Sequence, residues 1–291
     1  MSLQDRASDR HEREPSEGTL RSEDISVYSF AEIDSTLREA ERRIVCGGIG
    51  ERACLILAAT QTGGFGRVDR RWMSPPGNLY WTLVVPIPAA APVDHGPTFA
   101  ACLAVADLAL SLGVRSDAVS LKWPNDPLVF GKKIAGVLVQ NHGAPRATAM
   151  RSYAAIGIGV NIATFPQDAF YPSTSFDAAG IATTVADGAE GLLRAYVARH
   201  NTWLAGGIAA LMTDHRARLH GCDQPMTISL STDRSNRITG INRGVEDDGA
   251  LRVERADGSI FRLHSGDVLP PLPSGREEEA PTATSDVREG R

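Results

Sequence analysis

The pattern of the chain changes at Gly221, and this change restricts the possible folds more than any other feature. Four short segments that alternate apolar and polar residues follow it, reading PMTISLS, RITGINRGV, GALRVER and SIFRLH. Two of the intervening turns contain Asp-Gly, at 248–249 and 257–258, and Asp-Gly is the strongest short signal for a β-hairpin. Short strands joined in this way predict a small antiparallel barrel over residues 223–271.

Residues 25–222 mix strands and helices in an order that predicts an α+β domain. Helix-flanked and hairpin-like strands both occur, so we expect a mixed sheet rather than a purely parallel one. Thr36 and Glu39 have the spacing of a capping box at the start of the first helix. The apolar periodicity predicts helices at 35–45, 98–113 and, as a pair, 188–221, and strands at 52–60, 78–86, 118–126, 132–141 and 152–163.

Both ends of the chain are polar, and residues 1–24 and 272–291 are predicted to be disordered tails. No apolar run is long enough for a secretory signal or a membrane span. The four cysteines are scattered without metal-binding spacing, and the net charge of -5 gives no overall attraction to nucleic acid. We therefore expect a cytoplasmic protein without a membrane, nucleic-acid or metal-ion partner of its own.

The stretch QTGGFGRVDRRW at 61–72 combines backbone freedom with positive charge. It follows a predicted buried strand, so its glycines could let backbone N–H groups approach an anion while its arginines donate hydrogen bonds. It matches neither of the common glycine-rich nucleotide motifs. Two interpretations stay open on these residues alone: an anion-binding loop, or a mobile surface loop.

Three further motifs also allow two interpretations each. KWPND at 122–126 places polar side chains where a strand ends, which suits either a ligand site or an Asx-type turn above a buried tryptophan. Lys132 and Lys133 must point to opposite faces of a strand, so at most one faces a given pocket. GIGVN at 157–161 indicates either close approach of a ligand or tight packing within the sheet.

Taken in this order, the motifs resemble those of the biotin protein ligases. The family has a Ser-Thr element that opens a helix and a Gly/Arg-rich loop that ends in Arg-x-Trp. The matching segments are DSTLREA (34–40), GGFGRVDRRW (63–72), SPPGNLYWTL (74–83), LKWPND (121–126), GKKIAGVLVQ (131–140) and IGIGVN (156–161). The resemblance extends over roughly residues 25 to 270. It implies a catalytic domain with the class II aminoacyl-tRNA synthetase/biotin ligase fold over 25–222, followed by an SH3-like barrel over 223–271.

The resemblance implies an ATP-dependent ligase that uses Mg²⁺, forms biotinyl-5'-AMP and transfers biotin to a lysine of a biotin carboxyl carrier domain. A homodimer is left open, and no winged-helix DNA-binding domain fits before residue 25. By position, the implied biotin-binding residues are Ser35, Thr36, Gln61, Gly66, Arg67 and Lys133; the implied ATP- and adenylate-binding residues are Arg70, Trp72, Asn125 and Asn161; and the implied catalytic residues are Lys133, Arg67 and Asp126.

The sequence departs from the family pattern at four positions. Phe65, Val68 and Asp69 stand where the family loop usually has two arginines and a glycine, and Leu37 stands where it commonly has asparagine. We expect these departures to affect the affinity for the adenylate rather than the identity of the reaction. Two rival functions are a lipoate or octanoate ligase on the related fold, and a non-catalytic sensor of biotin or adenylate.

Overall fold

The computed structural model describes residues 19–47, 49, 52–87, 94–142, 152–167, 169–231 and 234–270. Most of the two predicted tails lies outside these residues. Residues 19–24 are described, and residues 21–24 are exposed. Leu20 is buried, and its backbone N–H donates to Asn201 Oδ1 at 2.9 Å.

Strands form three sheets in the described part of the chain. In chain order they are β1 (Ser26–Ile33), β2 (Cys54–Gln61), β3 (Leu79–Ile87), β4 (Val119–Lys122), β5 (Asp126–Val129), β6 (Lys132–Lys133), β7 (Ala135–His142), β8 (Ser152–Val160), β9 (Pro225–Ser229), β10 (Arg237–Val245), β11 (Leu251–Glu254), β12 (Ile260–Leu263) and β13 (Asp267–Val268). The helices are α1 (Thr36–Val45), α2 (Gly96–Ser111), α3 (Val185–Gly206) and α4 (Ala209–Arg216).

The central sheet has the order β1-β2-β3-β8-β7. β1 and β2 are parallel and the other neighbours are antiparallel, so the predicted mixed sheet is confirmed. β1 was missed by the sequence analysis because it is an edge strand that is largely exposed, without the apolar alternation that marks a half-buried strand.

Helices cover both faces of the central sheet. Leu37, Ala40 and Ile44 of α1 form one apolar layer with Ile56 and Val84. On the other face lies α2, which is buried nearly all round, as expected for a helix without a polar face. α3 packs over α2. None of the helices in the described ranges is long and apolar enough to cross a membrane.

Two local predictions in this domain are wrong. The capping box does not form, because Ser35 is the N-cap without a side-chain bond and the Thr36 hydroxyl is engaged by Gln61 and Thr82 instead. The predicted strand 132–141 is divided at Ile134, because β6 pairs with β5 in a small sheet while β7 pairs with β8.

The C-terminal strands form a five-stranded antiparallel sheet in the order β12-β11-β10-β9-β13. Both Asp-Gly turns connect neighbouring strands, and Gly249 and Gly258 adopt φ of 82° and 79°, which a residue with a Cβ rarely adopts. The indole of Trp123 donates to Gly249 O at 3.1 Å, so this sheet is joined to the KWPND turn. The predicted antiparallel C-terminal domain is confirmed.

Candidate active site

A cavity of about 940 Å³ lies between the central sheet, the 61–72 loop, residues 165–167 and 169–173, and one edge of the C-terminal sheet. All the site residues predicted from the sequence line it. They are Ser35, Thr36, Gln61, Gly66, Arg67, Arg70, Trp72, Asn125, Asp126, Lys133 and Asn161.

At one end of the cavity, which we call the neutral end, uncharged side chains form a continuous hydrogen-bond network. Gln61 Oε1 accepts from the Thr36 backbone N–H at 2.8 Å and from its hydroxyl at 3.1 Å. Thr82, which is fully buried, donates to Thr36 Oγ1 at 2.8 Å. Gln61 Nε2 donates to Ser74 Oγ at 2.9 Å. Ser35 is buried at the start of α1 beside this network.

At the other end, which we call the charged end, Asp126 lies between two lysines. Its Oδ1 is 2.5 Å from Lys133 Nζ, and its Oδ2 is 3.0 Å from Lys122 Nζ. Burial alone would raise the pKa of this carboxyl, but the two ammonium groups outweigh it and lower the pKa to about 2. The Lys133 backbone is fixed in turn, because its N–H donates to Pro172 O and its carbonyl accepts from Thr174 N.

The glycine- and arginine-rich loop is folded back on itself above the charged end. Gly66 N–H donates to Arg70 O at 2.6 Å, and Trp72 N–H donates to Gly64 O at 3.0 Å. Arg67 Nη1 donates to Asn125 Oδ1 at 3.1 Å, and burial lowers the pKa of this guanidinium. Asn125 Nδ2 donates to Val137 O at 2.7 Å, so the Asn125 side chain that binds Arg67 is itself held in place.

Arg70 connects this loop to the C-terminal sheet. Its guanidinium forms an ion pair with Asp267 of β13. The Tyr171 hydroxyl donates to the same carboxylate at 2.9 Å, and burial, together with Asp267, raises the pKa of Tyr171. Three separate parts of the chain therefore meet at Asp267 and close one side of the cavity.

The glycines of β7 and β8 make room for side chains of the site itself. A Cβ on Gly159 would lie 2.4 Å from the Trp72 indole, and one on Gly136 would lie 2.9 Å from it. A Cβ on Gly157 would lie 2.6 Å from Leu37. Gly157 and Gly159 pack closely against these side chains and also line the cavity, so the structure agrees with both interpretations of GIGVN. Asn161 is buried below this region, and its Nδ2 donates to Thr174 O at 3.0 Å.

The sequence analysis missed three residues of this site. Lys122 belongs to the KWPND motif, but only the pairing of β4 with β5 places it against Asp126. Thr82 lies within an apolar strand, where a threonine is an ordinary β-former. Asp267 is far from Arg70 in sequence, and no local pattern connects them. Of the lysine pair, Lys132 is exposed and Lys133 faces Asp126, as the alternation of a strand requires.

Within the described ranges, no group of three or more His, Cys, Asp or Glu side chains is placed to hold a metal ion. The charged end contains Asp126 and Asp267, but lysine, arginine and tyrosine already bind both carboxylates. The chain's own residues therefore suit an anionic ligand at this end better than a bare cation.

Known proteins share both parts of this architecture. The profile described as "Biotin/lipoate A/B protein ligase family" matches residues 49–161, and that described as "Biotin protein ligase C terminal domain" matches residues 228–269. The biotin--[acetyl-CoA-carboxylase] ligase of Paracoccus denitrificans is 34% identical over 230 residues, which cover 76% of this chain and 91% of that protein. This chain belongs to the biotin protein ligase family.

Two other members of the biotin protein ligase family show how far the likeness extends. The bifunctional ligase/repressor BirA of Bacillus subtilis is 28% identical, and the match covers 74% of this chain and 65% of that protein. The solved structure of the biotin protein ligase from Aquifex aeolicus in complex with biotin and ATP has a TM-score of 0.66 at 20% identity, covering 84% of this chain and 97% of that one. At this level of identity the structural likeness shows the shared fold.

Proposed function

We propose that this chain is an ATP-dependent biotin protein ligase. It joins biotin to AMP as biotinyl-5'-AMP and then transfers the biotinyl group to a lysine of a biotin carboxyl carrier domain. The observation that supports this best is one cavity with a neutral hydrogen-bonding end and a charged end. Biotin has the same division, with an uncharged ureido ring at one end and a carboxylate at the other. The Paracoccus relative is named a biotin--[acetyl-CoA-carboxylase] ligase.

The neutral end binds the ureido ring in this proposal. Ser35, Thr36 and Gln61 present hydroxyl and amide groups that can donate to the ureido carbonyl and accept from its N–H groups. Thr36 and Gln61 are already held in place by their hydrogen-bond partners, so these two side chains lose little conformational freedom when biotin binds. The valeryl chain then runs past Gly66 toward Lys133 and Arg67.

The charged end carries out the first half-reaction. The biotin carboxylate attacks the α-phosphorus of Mg-ATP, the P–O bond to the β-phosphate breaks, and pyrophosphate leaves. Two anionic groups must approach each other, so fixed cations that stabilise the growing charge make the main contribution. Lys133 and Arg67 are the cations placed for this. Mg²⁺ arrives with the nucleotide as part of the substrate.

The nucleotide lies on the side of Arg70, Trp72, Asn125 and Asn161. Arg70 and Asn125 have polar groups that can reach phosphate and ribose oxygens, and Trp72 offers an aromatic surface. The Asn161 amide is bonded to Thr174 O, so its contribution is to fix the segment that carries Ser173 and Thr174 beside Lys133.

The second half-reaction uses the amine of the carrier lysine. The neutral amine attacks the carbonyl carbon of the mixed anhydride, AMP leaves, and the amine loses a proton. With a pKa of about 2, Asp126 is a weak proton acceptor while both lysines bind it. We assign it first to orienting Lys133, and to proton acceptance only when Lys133 has turned toward the phosphate. The closed loop keeps water from the anhydride.

Transfer of labelled biotin to a carrier domain tests the proposal, with lipoate as the competing substrate. We expect ATP-dependent labelling with biotin and none with lipoate. Pyrophosphate release on addition of biotin and ATP separates a ligase from a sensor. Absence of both labelling and release would overturn the proposal. Two points stay predictions: the cytoplasmic location and the absence of a nucleic-acid partner. Whether the chain forms a homodimer stays open.

A further inference from the structure

We infer that Lys122 is a positioning residue for adenylate formation: a second, buried cation that binds the far oxygen of Asp126 and so leaves the charge of Lys133 available to the reacting anions. The inference rests on the proposed ligase function and adds a residue to that site. Lys122 acts through Asp126, without touching substrate.

The geometry separates the two lysines by role. Each binds a different oxygen of the one carboxylate, Lys133 at 2.5 Å and Lys122 at 3.0 Å. Asp126 and Lys133 line the cavity, whereas Lys122 is not among the described residues that do. The Lys122 side chain is 14% exposed and that of Asp126 9%. Lys122 therefore lies behind the carboxylate, and Lys133 lies in front of it.

Strand pairing sets this arrangement. Lys122 is the last residue of β4 and Asp126 the first of β5, and the two are directly opposite in the antiparallel ladder. Opposite residues of a ladder project from the same face, so a lysine here must lie beside the carboxylate. The KWPND motif is thus a tight turn that brings its own first and last residues together.

Two further contacts hold Lys122 away from the cavity. Its ammonium lies 3.7 Å from the centre of the Tyr171 ring and 3.4 Å from Val268 O of β13. A lysine with a carboxylate, an aromatic face and a carbonyl around it has its charge satisfied on several sides. These contacts keep the Lys122 ammonium group away from the substrate. They also connect Asp126 to the C-terminal sheet through Lys122.

The charge balance explains why a second lysine matters. Lys133 and Asp126 alone would form a neutral pair facing two anions, and a neutral pair stabilises an anionic transition state poorly. With Lys122 included, the three groups carry one net positive charge. Because the carboxylate is shared between two ammonium groups, its hold on Lys133 is weaker, and Lys133 can turn toward the phosphate.

Removal of Lys122 should also change the titration of Asp126. Losing one of two neighbouring cations raises the pKa of this buried carboxyl, so it takes up a proton at a higher pH and releases its contact with Lys133. A protonated Asp126 no longer orients Lys133 toward the reacting anions, so activity is lost at a higher pH than in the wild type and the acid limb of the activity profile moves upward. The other titratable groups that interact with this cluster are Arg67, Cys102, Lys133, Tyr171, His220 and Asp267.

The test compares Lys122→Gln, which keeps a hydrogen-bond donor without the charge, with Lys122→Arg, which keeps the charge. Pyrophosphate release at saturating biotin and ATP gives kcat, and a titration of biotin gives its KM. For Lys122→Gln we expect kcat to fall about 10-fold or more, the KM for biotin to stay within about twofold, and the acid limb to move upward. Lys122→Arg should recover most of kcat.

Lys132→Gln is the matched control, because Lys132 is the exposed neighbour of Lys133 on β6 and should leave kcat and the pH profile unchanged. Wild-type kcat and an unmoved acid limb in Lys122→Gln would overturn the inference. The inference would also be overturned if kcat fell equally in the Gln and Arg variants and in proportion to the decrease in Tm. That result would mean that Lys122 contributes only packing. If either variant does not fold, Lys122→Met provides the neutral comparison. A wild-type protein that releases no pyrophosphate would refute the ligase function instead.

Discussion

The two ends of the cavity are built in opposite ways. The neutral end is a chain of hydrogen bonds among uncharged groups, with Thr82 and Thr36 buried and Gln61 accepting twice. At the charged end Lys122, Lys133 and Arg70 form ion pairs with Asp126 and Asp267, and Arg67 donates a hydrogen bond to Asn125. The neutral end can receive a ligand by adding contacts, whereas the charged end must exchange existing contacts for new ones.

This difference assigns ligand recognition mainly to the neutral end and the chemical reaction to the charged end. A preformed network suits recognition of a fixed, uncharged group, because its geometry changes little on binding. Ion pairs that can be exchanged suit a reaction in which charge moves, because the freed cations meet the transition state. Variants at the neutral end should therefore raise KM for biotin with little change in kcat. Variants at the charged end should lower kcat, and Lys133, which also faces the biotin carboxylate, should in addition contribute its charge to the binding of biotin.

The largest effect is expected from Lys133→Ala. It removes the cation that faces the reacting anions while Asp126 keeps Lys122, so the fold should be retained. Pyrophosphate release should fall about 100- to 1,000-fold, comparable to the loss of one key stabilising group in other enzymes. Activity within tenfold of wild type, with an unchanged Tm, would assign the main cation elsewhere.

At the neutral end, Thr82→Val should raise KM for biotin about fivefold, with kcat nearly unchanged. Valine has nearly the same shape but cannot donate to Thr36 Oγ1, and one such hydrogen bond contributes about 1 kcal/mol. Thr82→Ser is the control and should behave like the wild type in steady-state kinetics. A fall in kcat without a change in KM would break the proposed division between the two ends.

A smaller effect is expected where the loop meets the C-terminal sheet. Asp267→Asn weakens the ion pair with Arg70, whose side chain is 41% exposed, so the pair contributes at most about 1 kcal/mol. Limited proteolysis should then cut residues 62–71 faster in the absence of ligand, and biotin with ATP should restore protection. Cleavage at the wild-type rate would show that this pair does not hold the loop.

The smallest effect concerns Val68, which has φ of 57° in an exposed turn. A β-branched residue is strained in this left-handed conformation by about 1 kcal/mol, and glycine is not. Val68→Gly should relieve this strain in the closed loop, although glycine also makes the open loop more flexible. Proteolysis of 62–71 should slow by no more than about threefold, and faster cleavage would show that the flexibility outweighs the strain.

The sequence predicted the fold class, the buried helix and the residues around the cavity through motifs that lie close together along the chain. Lys133 could be chosen over Lys132 only by resemblance, since alternation shows that one lysine faces the pocket without showing which. Relations between distant segments were not predictable. The place of Lys122 beside Asp126 depends on the pairing of β4 with β5, and that of Asp267 depends on the contact between β13 and the 61–72 loop. Strand β1 could not be predicted because it has no apolar pattern.

The division between the two ends can be tested most directly by calorimetric titration of biotin and of biotin methyl ester, which lacks the carboxylate charge. We expect the wild type to prefer biotin, Thr36→Val to weaken both ligands by the same factor, and Lys133→Ala to remove the preference while the ester binds as before. If Lys133→Ala kept the preference, or Thr36→Val weakened biotin alone, the account of a neutral binding end and a charged reacting end would be contradicted.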